Sequence, residues 1–424
     1  MRRLGPALEV RDFRRWWLAT FGMSMALQML EVVIGWEVYS HQHSALDLGW
    51  IGLAEFLPLF VLALPAGHLA DRVPRRLVLG AANLVGVGIG VGLALISAAG
   101  VVSVVPYLAF AVGAGVTMAL GQPAARAMPP TLVDRDLLAS AMTLRSIAAQ
   151  GSQVAGPALG GLLYGVSPAL VYLIAAGSCG LAVLASAGIG PGRAAALEED
   201  GEPERASLHT VLEGLRFVGR TQILLGAILL DLLAVLFGGA VALLPIFARE
   251  YLHVGATGLG VLRAAPAVGA LLAAAWITRR PIAGRAGRLL LTVVLLYGGC
   301  MIIFGLSRTF VISLLALGVS GFVDLYSMNI RSTTVALATP DRLRGRVNAV
   351  EMVFISASNQ LGAFESGLAA SLVGTIPAVV GGGAMTMLIA LSWARLFPAL
   401  ARVDRLEDIQ PSTVAAATEL GVHV

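Results

Sequence analysis

The chain has 424 residues, 57% hydrophobic and only 13% charged, with a formal net charge of +4 and a mean hydropathy of +0.84. Soluble domains run nearer half apolar and a quarter charged, so an ordinary cytosolic enzyme is excluded. At about 20 apolar residues per crossing, the length admits about a dozen membrane helices. Glycine is abundant at 50 residues and aromatics make up only 6%, which suits closely packed transmembrane helices better than a β-barrel. All 29 basic residues are arginine, so Schiff-base and P-loop lysine chemistry is absent. Cys179 and Cys300 fall inside apolar runs and read as small buried side chains, not as a disulfide or metal pair.

In chain order, Arg2, Arg3, Arg11, Arg14 and Arg15 precede an apolar run from Trp16 to about Ser40. That run is too long for a signal-peptide core and reads as a retained first span. Further spans are expected near 47–69, 76–98, 103–124, 140–164, 168–189, 222–248, 257–278, 287–306, 310–331, 346–372 and 376–398. On this reading 25 arginines lie on the side of the N-terminus and only Arg249 and Arg308 on the other, with Arg145 and Arg263 inside spans. The positive-inside rule then places a multi-pass protein in the cytoplasmic (inner) membrane with both termini cytoplasmic.

The long loop 190–221 opens with an acidic linker (Glu198, Glu199, Asp200, Glu202, Glu204). It continues with Leu208, Val211, Leu212, Leu215 and Val218 at helical spacing, behind a Ser207 cap and with Arg216 and Arg220 toward the end. That pattern predicts an amphipathic helix on the inner membrane surface. The expected fold is an all-α membrane protein of 12 helices in two six-helix bundles, 1–189 and 222–424, joined by the linker 190–221. A weak internal repeat at an offset of 206 residues agrees: Gln153 meets Asn359, Gly156 meets Gly362 and Gly161 meets Gly367. Two such halves with a site between them follow the logic of alternating access.

The turn after span two reads Gly67-His68-Leu69-Ala70-Asp71-Arg72-Val73-Pro74-Arg75-Arg76. It resembles the loop 2–3 signature of the major facilitator superfamily. The resemblance implies a latch, made by Asp71 with Arg72, Arg75 and Arg76, that favours closure toward the cytoplasm. The counterpart around Arg279 and Arg280 lacks the aspartate, so the latch is single. Span five carries Gly151, Gly156, Pro157, Gly160 and Gly161, similar to the superfamily's antiporter motif; the alternative is ordinary small-residue packing.

Gly35-Trp36-Glu37-Val38-Tyr39, Gly52-Leu53-Ala54-Glu55-Phe56-Leu57-Pro58 and the stretch from Arg331 to Gly367 resemble the enterobactin-exporter-like branch. That stretch includes Arg344-Gly345-Arg346-Val347 and Ser358-Asn359-Gln360-Leu361-Gly362. The resemblance implies export of a siderophore, drug or other small amphiphilic molecule by a monomer. The proton gradient is then the energy source, with no cofactor, metal or nucleic-acid partner. Span four, 103–124, lacks the mid-span arginine of many proton-coupled drug exporters, so any coupling groups lie elsewhere.

Charges at bilayer depth are costly and point to function. Glu31 follows Trp16 by 15 residues and Glu55 precedes Leu69 by 14, about 22 and 21 Å from the inner face. Two carboxylates at one height could share a proton and are the proton-coupling candidates; the alternative is hydrogen-bonded acids lining a wet vestibule. Glu37 is expected at the outer rim. Asp231, Arg263 and Gln28 are substrate-cavity candidates, the first two as a charge pair or as contacts for an anionic group. Arg145, Asp324 and Glu351, placed near inner ends, and Glu365, near an outer end, are candidates for gate salt bridges. The alternating Gly86, Gly88, Gly90 and Gly92 sit in an unbroken apolar helix and read as packing, not a nucleotide loop. His41, His43 and Asp47 read as a solvated turn before a metal site. Rival readings are uptake or lipid flipping, a non-transporting receptor of the same fold and, most distantly, a membrane-embedded enzyme.

Overall fold

The computed structural model describes residues 5–190, 208–282 and 284–409, and at 63–72 and 208–211 the backbone alone. Among the described residues, twelve long helices run in chain order. The first six are α1 (Arg11–Gln42), α2 (Ala45–Arg72), α3 (Arg75–Ala98), α4 (Val105–Ala127), α5 (Arg135–Tyr164) and α6 (Pro168–Ala187). The second six are α7 (Gln222–Gly238), α8 (Gly255–Arg279), α9 (Ala286–Leu306), α10 (Phe310–Ala338), α11 (Arg344–Val373) and α12 (Thr375–Leu396). After Gly238 the chain continues through short turns to a π-helical turn, Phe247–Tyr251. Among the described residues, ten stretches are long and apolar enough to cross a membrane, α7 being taken with its continuation. The two helices that fall short, α5 and α11, are 30 residues each. Their polar residues, among them Arg145, Gln150 and Gln153 in one and Asn348, Glu351, Asn359 and Gln360 in the other, dilute the apolar signal.

The chain forms two compact units. Unit 1 takes the described residues of Met1–His43, Ala54–Ala206 and Val254–Ala264; unit 2 takes those of Ser44–Leu53, Ser207–His253 and Ala265–Val424. Within unit 1, α1 packs on α5 and α6, and α3 on α4 and α6. The indole N–H of Trp16 donates to the Ala125 carbonyl (3.1 Å) and that of Trp17 to Leu144 (2.9 Å), pinning α1 to α4 and α5. The alternating glycines of α3 are packing positions: a Cβ at Gly90 would stand 2.8 Å from the Ala176 Cβ, and one at Gly86 2.8 Å from the Cys179 sulfur. Small residues are what allow such close crossings in lipid, where no hydrophobic force drives helices together.

Within unit 2, α7 packs on α11 and α12, and α9 on α10 and α12, the same neighbours six helices on. Trp393 donates to the Gly226 carbonyl at 2.9 Å. Each unit also takes the first turns of a helix from the other half of the sequence. Gly260 of α8 lies against Gly161 in unit 1, and Gly49 of α2 lies against Gly367 in unit 2. Gly161 and Gly367 are the pair that the 206-residue offset superposes. Outward faces are apolar: Leu95, Leu181 and Leu184 in unit 1 and Leu296, Ile303 and Leu388 in unit 2 are all more than half exposed, as a lipid-facing surface requires.

The expected amphipathic helix is present at Leu208–Arg220, but it does not simply lie in lipid. Val218 is buried in a cluster with Leu224, Ile228, Val335 and Val347, Gly214 abuts the Arg346 backbone, and Glu213 forms an ion pair with Arg346. Leu212 and Leu215 remain exposed. The acidic linker and the Ser207 cap lie outside the described residues, as do the side chains of Gly67, Asp71 and Arg72.

Candidate functional site

Three ionised pairs set the chemistry, and their surroundings give them different work. In unit 1, Glu31 of α1 pairs with Arg263 of α8; the side chains are 41% and 14% exposed. Glu31 stands eleven residues before the end of α1 and Arg263 eight after the start of α8, about 16 and 12 Å from those ends at 1.5 Å per residue. The pair is thus near mid-bilayer. In unit 2, Asp231 of α7 pairs with Arg331 of α10 at 2.6 Å, with only 12% and 9% exposure, and the Arg331 Nε donates to Ser327 at 3.1 Å. The third pair, Glu213–Arg346, ties the linker helix to α11.

The expected pairing of Asp231 with Arg263 is therefore replaced by two separate pairs, and the acid held by Arg263 is Glu31. The sequence pattern places Arg331 in a loop, because the expected span stops at it. Instead, α10 runs to Ala338, and a buried arginine is tolerated there because Asp231 supplies its counter-charge. The longer helix also moves Asp324 to its middle and away from an inner end.

Asp324 joins Asp231, Tyr297 and Ser327 around one small cavity. Glu351 joins Asp231 and Arg331 around another. Both are far below the size of a ligand site, with room for water and not for an amphiphilic molecule. None of the four gate candidates makes the ion pair expected of it among the described residues. Asp324 and Glu351 gather round the Asp231–Arg331 pair, Glu365 has no basic partner, and the electrostatic neighbour of Arg145 is another cation, Arg126.

Glu55 is half-buried on α2, ten residues from the start of that helix, about 15 Å, the height of Glu31. Its backbone is where α4 crosses: a Cβ at Gly115 would strike the Glu55 carbonyl. Gln28 is half-buried, with its Cβ 2.5 Å from where a Gly156 Cβ would be. The motif of α5 divides its work. Gly156 and Gly160 receive α1, at Gln28 and Met29, whereas Gly161 and the Pro157 carbonyl receive α8 at Gly260; Gly151 meets Phe21 alone within 4.0 Å among the described residues. The same helix thus brings together α1 and α8, the two bearers of the Glu31–Arg263 pair. Arg75 and Arg76 donate to the Ala127 (3.2 Å) and Ile189 (2.6 Å) carbonyls, fastening the turn between α2 and α3 to the ends of α4 and α6.

Glu37 departs most from expectation. It lies near the outer end of α1 as expected, but is 3% exposed, because six residues along α1 from Glu31 the helix turns its side chain into unit 1. Ser97 donates to its Oε1 at 2.6 Å and the Tyr172 hydroxyl to its Oε2. Nothing in the α1 sequence marks this burial; the partners come from α3 and α6, far along the chain. Among the described residues no group of His, Cys, Asp and Glu could hold a metal ion.

A family model described as transmembrane secretion effector matches residues 4–422. Two curated relatives are enterobactin exporters EntS, from Shigella boydii serotype 18 and Escherichia coli O81, each 26% identical over 340 residues and 80% of both chains. Among solved structures, the fold is shared with a point mutant of the nucleoside transporter NupG (TM-score 0.70, 11% identity, covering 91% of this chain and 100% of that one). It is shared as well with the human organic anion transporter MFSD10 (TM-score 0.65, 16% identity, covering 90% and 99%).

Proposed function

Because the chain belongs to the transmembrane secretion effector family of major facilitator transporters, and is a multi-pass membrane transporter, not an enzyme, we propose that it is a proton-driven exporter of small amphiphilic molecules. It sits in the inner membrane with both termini cytoplasmic and works by alternating access and antiport. The observation that carries the reading is the Glu31–Arg263 pair. The Glu31 carboxylate, at 41% exposure, is open to a competing partner. Removing one partner of a buried pair costs about 3–5 kcal/mol, so Asp231–Arg331 is the structural counterpart. The similarity to enterobactin exporters supports outward transport.

The pair also bears on the sign of coupling in this reading. A substrate that presents a positive group or a strong hydrogen-bond donor to Glu31 competes with Arg263 and with a proton for one carboxylate, and mutual exclusion of substrate and proton is exchange. A substrate anion that takes Arg263 instead releases Glu31 to accept a proton, and the two then travel together. Proton-driven export therefore requires a donor-bearing substrate, such as a cationic drug or a catechol-bearing siderophore with its hydroxyls protonated. Glu55, at matched height, is the second acid available for this exchange.

The test is binding of ethidium to the purified protein across pH. The reading predicts weaker binding as pH falls, with that dependence lost in Glu31→Gln. Binding that strengthens at low pH, or an anionic compound that binds more tightly there, would replace antiport with co-transport and favour uptake.

A further inference from the structure

Glu37 is the most deeply buried carboxylate among the described residues, and the exchange at Glu31 makes no use of it. Four helices enclose it. From α3 comes Ser97 and from α6 Tyr172, both donating to the carboxyl group. From α4 comes Tyr107, fully buried and electrostatically coupled to Glu37, yet its hydroxyl makes no hydrogen bond of acceptable geometry. On α1 itself His41 lies one turn further on, where positions i and i+4 share a face, and its Nδ1 is buried without a partner. Tyr164, at the end of α5, lies near both tyrosines. No cation pairs with Glu37 among the described residues. An ionised carboxylate here would hold its charge against neutral hydroxyls alone, an arrangement that is costly away from water. A bound proton removes that charge.

The group is also close to one membrane face. Glu37 is five residues from the end of α1, Ser97 one from the end of α3, Tyr107 two from the start of α4 and Tyr172 four from the start of α6. At 1.5 Å per residue the carboxyl is about 8 Å below the helix ends, on the face away from the N-terminus. We propose that Glu37, with Tyr107, Tyr172 and Ser97, is a second proton-binding site, loaded from the face opposite the termini. The carboxylate takes a proton from water on that side to become a carboxylic acid and returns it during the cycle; no other reactant is involved. Its part in transport rests on the reading of the chain as a proton-driven exporter, but proton binding at Glu37 does not.

Infrared difference spectroscopy on the full-length protein in lipid nanodiscs, stepped between acid and alkaline pH, reads the site directly. The expected result is a carboxylic-acid carbonyl band that changes with pH, disappears in Glu37→Gln and shifts in Tyr107→Phe. A spectrum that Glu37→Gln leaves unchanged overturns the site. If Glu37→Gln does not fold, the shift in Tyr107→Phe decides in its place: a shift supports the site and no shift overturns it. In proteoliposomes, flux through Glu37→Gln should lose part of its pH dependence. An unaltered pH profile, with the band present in the wild type, makes Glu37 a static buried acid and overturns its place in the cycle. If the wild type itself moves no protons with substrate, the exporter reading fails while the infrared result still decides whether Glu37 binds a proton.

Discussion

Glu31 and Asp231 are both acids at bilayer depth joined to an arginine, and exposure separates their roles. Glu31, at 41%, is open to a partner that competes with Arg263. Asp231, at 12%, cannot leave Arg331 without burying two unpaired charges. Arg331→Gln should therefore destabilise the protein by about 3–5 kcal/mol, read as a lower unfolding temperature in detergent, and adding Asp231→Asn should recover most of the loss. A single and double mutant of equal stability would contradict the assignment. Glu31→Gln with Glu55→Gln should instead leave the unfolding temperature near that of the wild type and abolish pH-driven flux; unchanged flux would remove both acids from the mechanism. Glu31, Asp231 and Arg263 are identifiable from sequence because a charge in an apolar run is conspicuous. Their partners are not, because a helix wheel gives height and face but not the neighbour across the gap. Arg331 escapes notice because a charge at the edge of an apolar run reads as its end.

At the scale of helices, α5 and α11 carry the glycines that receive a helix from the other half of the sequence. A Cβ at Gly161 would lie 3.0 Å from the Gly260 Cα, and one at Gly367 2.7 Å from the Gly49 Cα. Both are backbone contacts that a side chain cannot flex away from. Gly161→Val and Gly367→Val should each oppose close packing by about 1–3 kcal/mol, about 5- to 150-fold in the population of the packed arrangement. Cysteine pairs placed across each crossing should then cross-link more slowly; unaltered cross-linking would show that these crossings are not tight in the membrane. The glycine pattern and the 206-residue offset are visible in the sequence. What is hidden there is that one turn of α5 serves two helices, with Gly156 and Gly160 facing α1 and Gly161 facing α8. Three glycines within six residues carry no label for which neighbour each receives. The linker helix is legible as amphipathic, but its docking is not, since Glu213 finds Arg346 more than a hundred residues away.

For the molecule as a whole, the proposed orientation rests on arginine placement alone, and it can be tested separately from transport. Cys179 and Cys300 are buried and unpaired, so introduced cysteines can be read against a quiet background. In intact cells, Ser103→Cys between α3 and α4 should react with a membrane-impermeant maleimide, whereas Arg342→Cys between α10 and α11 should react only after the membrane is opened. The reverse pattern would invert the proposed direction of proton and substrate flow.

The central claim, exchange of protons for substrate, is tested most directly in proteoliposomes of known orientation under an imposed pH gradient, with a lumenal pH dye. Ethidium and an iron-free catecholate siderophore are added one at a time. The predicted result is proton movement that depends on one of the compounds, runs opposite to its flux and disappears in Glu31→Gln. A compound that crosses with no proton movement, or with protons moving in its own direction, would contradict it.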